Sequence, residues 1–161
     1  MNCDEKNMLI AMDEALKAYK EKEVPIGAVL IEEESGILVC KNHNRMEQLD
    51  DATAHAEILV LQEATKKIGR RNLKNCTMYI TIEPCPMCAG ALFLSRINRV
   101  VYGGVDSKFG AAESLFNILN NPALNHQIKV TAGILENECT ELMKKFFAER
   151  REILSIKQGT H

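Results

Sequence analysis

The sequence predicts an α/β fold: a three-layer α/β/α sandwich with a central, mixed, five-stranded sheet. Three observations point there. Apolar runs of strand length recur at residues 26–31, 37–40, 76–82, 99–103 and 128–132. Stretches with apolar residues three and four apart lie before, between and after them. The first two runs are joined by a tight turn and the later ones through helices, the order of a layered α/β domain. The 161 residues fit one domain, 1–161, long enough to bury roughly two-thirds of the surface that the unfolded chain exposes.

Residues 5–22 read as an amphipathic helix, with Met8, Leu9, Met12, Leu16 and Tyr19 on its inner face and Pro25 as its stop. Residues 26–31 are nearly all apolar, which suits a strand inside the sheet and covered on both faces. Glu34, Ser35 and Gly36 form the turn into 37–40, giving an antiparallel hairpin. In the polar stretch that follows, Asn44 can offer both a donor and an acceptor to a base edge, or can merely cap its loop; His43 is expected in solvent. A helix over 54–67 turns Ile58, Leu61 and Ala64 inward. It ends in Lys66, Lys67, Arg70 and Arg71, a cluster that suits a helix C-terminus and can also meet phosphate.

Strand 76–82 delivers Cys85 at its C-terminal end, where open α/β sheets place ligand sites. A helix over 86–94 opens on Pro86 and carries Ala89, Gly90 and Ala91, small enough for close approach of a neighbour. After strand 99–103, residues 104–110 form a polar, glycine-bounded loop suited to reading substrate. A short helix over 114–119 is broken at Pro122, a last strand covers 128–132, and a final helix runs over 137–156. That helix holds Leu142, Phe146 and Phe147 among Lys144, Lys145, Arg150 and Arg151.

Composition narrows the function. Hydrophobic content of 46% and charged content of 26% are ordinary for a globular protein. No apolar run approaches the length of a membrane span and no secretory signal opens the chain, so a cytoplasmic location away from membranes is expected. A formal net charge of −2 is not that of a protein gripping nucleic acid by bulk charge, so any such binding uses local basic patches. Cys3, Cys40, Cys76 and Cys139 are scattered in apolar patterns and read as isolated buried thiols of a reducing compartment.

The chemistry concentrates in Thr53-Ala54-His55-Ala56-Glu57 and Glu83-Pro84-Cys85-Pro86-Met87-Cys88. His55, Cys85 and Cys88 make three metal ligands. That is the set of a catalytic zinc, which keeps its fourth tetrahedral position for water; a structural zinc takes four. Zn²⁺ favours thiolate and imidazole, and lowers the pKa of a bound water to about 7. Pro86 at the first helical position puts both cysteines at a helix N-terminus, where unpaired N–H groups favour thiolates. Glu57 is the carboxylate left free to move protons. Residues two apart point to different sides of a regular helix, so His55 and Glu57 converge only in a first turn, where Thr53 as N-cap would place them. Two blander readings compete: a redox pair at Cys85 and Cys88, which leaves His55 and Glu57 without a job, and a structural zinc with a fourth ligand from Cys40, Cys76 or Cys139.

H-x-E followed by P-C-x-x-C matches the signature of zinc-dependent nucleobase deaminases. With EPCPMCAGAL and the run from Arg99 to Cys139 that contains D-x-K-x-G-A-A, the chain from about Val24 to Arg151 resembles the bacterial tRNA-specific adenosine deaminases of the cytidine and deoxycytidylate deaminase superfamily. The resemblance implies a cytidine deaminase-like fold and hydrolytic deamination of adenosine to inosine at the wobble position of a tRNA anticodon, through zinc-activated hydroxide and Glu57 as proton shuttle. It also implies a homodimer in which both subunits hold the anticodon stem-loop. It assigns His55, Cys85 and Cys88 to zinc, Asn44 and the Ala56 N–H to the flipped base, and Asp106, Lys108, Phe147, Arg150 and Arg151 to the RNA. Many relatives carry proline where Ala52 stands, which leaves the approach to the helix looser here. Zinc and a glutamate equally serve deaminases of free bases or nucleosides, such as guanine or cytosine, and the metal motif alone leaves that alternative open. A zinc-stapled binding module without turnover is a rival of another class.

Overall fold

In the computed structural model, which describes residues 1–159, the apolar runs pair into one five-stranded sheet. Helix α1 (Cys3–Lys20) leads into strands β1 (Gly27–Glu32) and β2 (Leu38–His43), then the one-turn helix α2 (Met46–Leu49) and α3 (Ala56–Ile68). β3 (Cys76–Ile82), α4 (Pro86–Leu94), β4 (Arg99–Gly104), β5 (Lys129–Thr131) and α5 (Glu136–Gln158) follow. The strand order is β2-β1-β3-β4-β5, with β1 antiparallel to both neighbours and β3, β4 and β5 parallel. The sheet is therefore mixed, and the expected sandwich is what forms.

Alternation along the strands divides the core between two faces. Ala28, Leu30, Met78, Ile80, Val100 and Tyr102 pack with Val60, Leu61 and Ala64 of α3 and Ala89 and Leu92 of α4. Val29, Ile31, Tyr79 and Val101 pack on the other side with Met8 and Ala11 of α1 and Cys139 of α5. Among the described residues no helix is long and apolar enough to cross a membrane.

Several local expectations are corrected. α1 begins on a capping box between Asn2 and Glu5 and ends at Lys20, five residues before Pro25. It closes because Lys22 takes a left-handed φ of 62° and the Glu23 N–H donates back to Ala18. Its inner face is Met8, Ala11, Ala15 and Ala18, while Leu9 and Leu16 are each 40% exposed. The small residues are needed because α1 lies almost against β1: a Cβ on Gly27 would fall 1.9 Å from the Ala11 carbonyl oxygen. Residues 114–119 form no helix, since Glu83 captures the N–H groups of Glu113 and Ser114 and the Ile118 N–H donates to Ala111. β5 is only three residues long, an edge strand paired on one side. α2 was not expected; the buried Glu23 carboxylate creates it by accepting from the Glu47 and Gln48 N–H groups. Cys40, Cys76 and Cys139 are buried as expected, but Cys3 is exposed.

Candidate active site

Two helix N-termini meet at the C-terminal end of the central strand. β3 is buried along its whole length, and the chain leaves it through Glu83 and Pro84 to place Cys85 as the N-cap of α4, with Pro86 at the first helical position and Cys88 in the first turn. From the same side of the sheet comes α3, whose N-cap is His55 in extended conformation (φ −73°, ψ 151°). Thr53 is thus not the cap. Its N–H and hydroxyl both donate to Asp51 Oδ1, at 2.8 and 2.7 Å, which turns the chain two residues earlier. His55 at the cap and Glu57 in the first turn can then face one point.

They do. His55 Nδ1 lies 3.6 Å from Cys85 Sγ and 3.4 Å from Cys88 Sγ, and one donor atom from each residue falls within 4.8 Å of the others. Tetrahedral zinc, with bonds of about 2.3 Å to sulfur and about 2.0 Å to nitrogen, separates such donors by about 3.5 Å. The group therefore fits a metal ion of that kind, and among the described residues no fourth ligand joins it. Glu57 stands beside it, its Oε2 accepting from Cys88 Sγ at 3.3 Å. Neither α3 nor α4 has a side-chain cap, so their first-turn N–H groups add positive potential around the sulfurs.

The ionisation of the group follows from its neighbours. The Cys88 thiol, with help from His55, holds the Cys85 thiol down to about 4. The Cys85 sulfur, burial and the Glu57 carboxyl hold Cys88 above the thiol range. The Cys85 sulfur raises His55. Burial pushes Glu57 above the ordinary carboxylate range.

Asn44 and Ala56 share a pocket of about 140 Å³ with Val24, Ile26, Met46, His55 and Glu57. Asn44 caps its loop, its Oδ1 accepting from the Met46 N–H at 3.1 Å, and the residue also lines the pocket. Val24 and Ile26 also line an adjoining groove of about 560 Å³, where Asp106, Lys108, Phe147 and Arg151 are found with Phe109 and Lys144. Asp106 spends its Oδ1 on the N–H groups of Lys108 and Phe109. Arg150 does not line the groove; its guanidinium lies over the Phe146 ring at 5.6 Å and 3.8 Å from Glu47. A larger basic hollow of about 890 Å³ around Arg71, Lys74 and Arg96 lies at the opposite end of β3 and holds none of these groups.

Three buried polar residues, His43, Glu23 and Glu83, carry structural duties that the sequence did not assign them. His43 is not in solvent: it is 3% exposed, with Nδ1 2.9 Å from Glu14 and Nε2 2.8 Å from Glu21. Burial alone would raise Glu14, but His43 and Lys17 outweigh it and hold that carboxyl low. Glu23 holds α2, and with it Met46, at the pocket. Glu83 gathers the loop after β4; burial would raise its carboxyl, yet the N–H groups and hydroxyl around it keep it below the usual range.

Comparison with known proteins places this arrangement among relatives. Residues 2–151 match the family model of the MafB19-like deaminases. The tRNA-specific adenosine deaminase of Bacillus subtilis (strain 168) is 45% identical over 152 residues, 94% of this chain and 93% of that protein. A solved structure from work on A-to-I editing by tRNA:A34 deaminases at the wobble position superimposes with a TM-score of 0.80 at 40% identity, over 85% of this chain and 98% of that one. The structure of a guanine deaminase from Bacillus subtilis is more distant, with a TM-score of 0.61 at 30% identity over 94% of this chain and 95% of that one.

Proposed function

The chain belongs to the tRNA-specific adenosine deaminases, within the MafB19-like deaminases, and from that premise we propose that it converts the wobble adenosine of a tRNA anticodon to inosine with a zinc ion held by His55, Cys85 and Cys88. The observation that carries the reading is the convergence of those three donors with Glu57 hydrogen-bonded beside them and outside the ligand set.

Zinc in that position supplies Lewis acidity, bringing the pKa of a water down to about 7. Glu57 takes a proton from the attacking water and passes it to the purine ring nitrogen next to the amino-bearing carbon, then takes the hydroxyl proton of the adduct and delivers it to the departing amine. Water adds at that carbon, the C–N bond breaks, ammonia leaves and the inosine carbonyl remains. Asn44 and the uncapped N–H of Ala56 orient the base, and Val24, Ile26 and Met46 exclude water from it. The pocket, about 140 Å³ against the roughly 300 Å³ where drug-sized sites begin, suits a lone base inserted edge-on. Sugar and phosphate then stay in the groove, where Lys108 and Arg151 offer charge and Phe109 and Phe147 offer faces for stacking. An unpaired loop base leaves its stack for only a few kcal/mol.

Purified zinc-loaded protein, given an anticodon stem-loop with adenosine at the wobble position and, separately, free guanine, cytosine and adenosine, is expected to release ammonia only from the RNA. Turnover confined to a free base would move the assignment to a small-molecule deaminase; the likeness to a guanine deaminase makes guanine the control that matters most. Such an enzyme works in the cytoplasm. It works as a homodimer, for which the groove between α3 and α4, lined by Ile58, Leu61, Ala91 and the 77% exposed Leu94, offers an apolar surface.

A further inference from the structure

Glu83 lies between the end of β3 and the first metal-binding cysteine, 3% exposed, and its partners are N–H and O–H dipoles. Oε1 accepts from the Asp106 N–H at 3.2 Å and from the Ser114 hydroxyl. Oε2 accepts from the N–H groups of Ala112 (3.2 Å), Glu113 (3.0 Å) and Ser114 (3.0 Å). The backbone joins in: the Glu83 N–H donates to Gly104 at 2.8 Å and the Ala111 N–H to Pro84 at 2.9 Å. Gly110 passes so close that a Cβ there would sit 2.4 Å from Glu83 Oε2. One carboxylate thus ties both ends of the segment that carries Ser107, Lys108 and Phe109.

Within the segment Asp106 closes the turn, accepting from the N–H groups of Lys108 and Phe109 at Oδ1 and from Gly110 at its carbonyl, while the bonds of Glu83 tie that turn to the end of β3. Val105 and Phe109 are 52% and 63% exposed, and a loop with so few buried apolar contacts opens readily unless its backbone groups are held. It also lines the groove together with Phe147 and Arg151. We infer that Glu83 is a positioning residue for the polymeric part of the substrate: its carboxylate fixes the wall made by Ser107, Lys108 and Phe109 relative to the ligands two residues further on. It governs how the RNA is held and not how the base reacts. The inference rests on the RNA reading above.

Glu83→Gln keeps the shape but puts an NH2 group where donors already converge on either oxygen, so N–H must face N–H. Expected is a rise of about tenfold in KM for the anticodon stem-loop with kcat within about twofold and zinc content unchanged. Amide exchange over 105–114 should accelerate by about tenfold or more. Ser114→Ala, at an exposed residue, removes one bond from the same carboxylate and should move KM the same way by about two- to threefold. It serves as the folded variant if Glu83→Gln does not fold. Unchanged KM and unchanged exchange overturn the inference, as does a fall in kcat at constant KM. A wild-type protein silent on RNA would instead remove the RNA reading, while the exchange comparison, which needs no substrate, still decides whether Glu83 fixes the wall.

Discussion

Glu57 shows how position gives one carboxyl a role that its neighbours lack. It is 3% exposed in the first turn of α3, accepts from the Cys88 thiol and is raised by burial, which fits the proton-carrying role proposed for it. Glu57→Gln preserves size and leaves the three donors in place; zinc content should match wild type while kcat falls by about 10³. Metal analysis alongside ammonia release checks this, and near-normal turnover in the loaded variant would sink the role. The meeting of His55, Cys85 and Cys88 with Glu57 beside them was legible in the sequence, because the chemistry fixes residue type and spacing together. Glu23, His43 and Glu83 were not, because their partners are backbone N–H groups or carboxylates set far apart in the chain, and a lone Glu before a proline carries no mark of what it will hold.

At the scale of elements, β3 and α4 coincide with the apolar run and the Pro86 start that define them, since full burial and a proline at the first helical position leave little freedom. α1 was placed but its buried face was misread. Alanine gives weak hydrophobic contrast, and the demand for small side chains comes from Gly27 on another element. The helix expected over 114–119 failed for the converse reason: its N–H groups had better acceptors elsewhere. α5 and the loop after β4 share the groove, so their cations should act together on RNA. Lys108→Ala and Arg151→Ala are each expected to weaken stem-loop binding and to reduce the slope of log affinity against log salt by about one, with metal content unchanged. Arg150→Ala should do less, because that side chain is engaged with Glu47 and Phe146. Slopes unaltered in both groove variants would take that wall off the RNA surface.

Across the whole molecule, one acid near the start of the chain joins α1 to two strands of the sheet. Asp4 of α1 accepts from Arg99 on β4 at 3.0 and 2.7 Å and from the Tyr79 hydroxyl on β3 at 2.8 Å. Arg99 holds the Asp4 carboxyl below its ordinary range, so its contribution to stability is present above the unfolded value near 4 and is lost as pH falls through the lower folded value. Asp4→Asn should cost about 1 kcal/mol at neutral pH, and the gap from wild type should close in acid; parallel melting curves at the two pH values check it. A gap that persists in acid would mean that the charge is not the source. The distribution of sulfur has a practical consequence. Three thiols, Cys40, Cys76 and Cys139, are sealed in the core, where burial pushes Cys40 and Cys139 up to about 12, and only Cys3 lies open away from the ligand group. A maleimide dye added to the loaded protein should therefore label Cys3 alone, and stripping the ion with a chelator should open Cys85 to it as well. Mass spectrometry of labelled peptides would then read occupancy of the site directly, with the protein's own cysteines as the gauge.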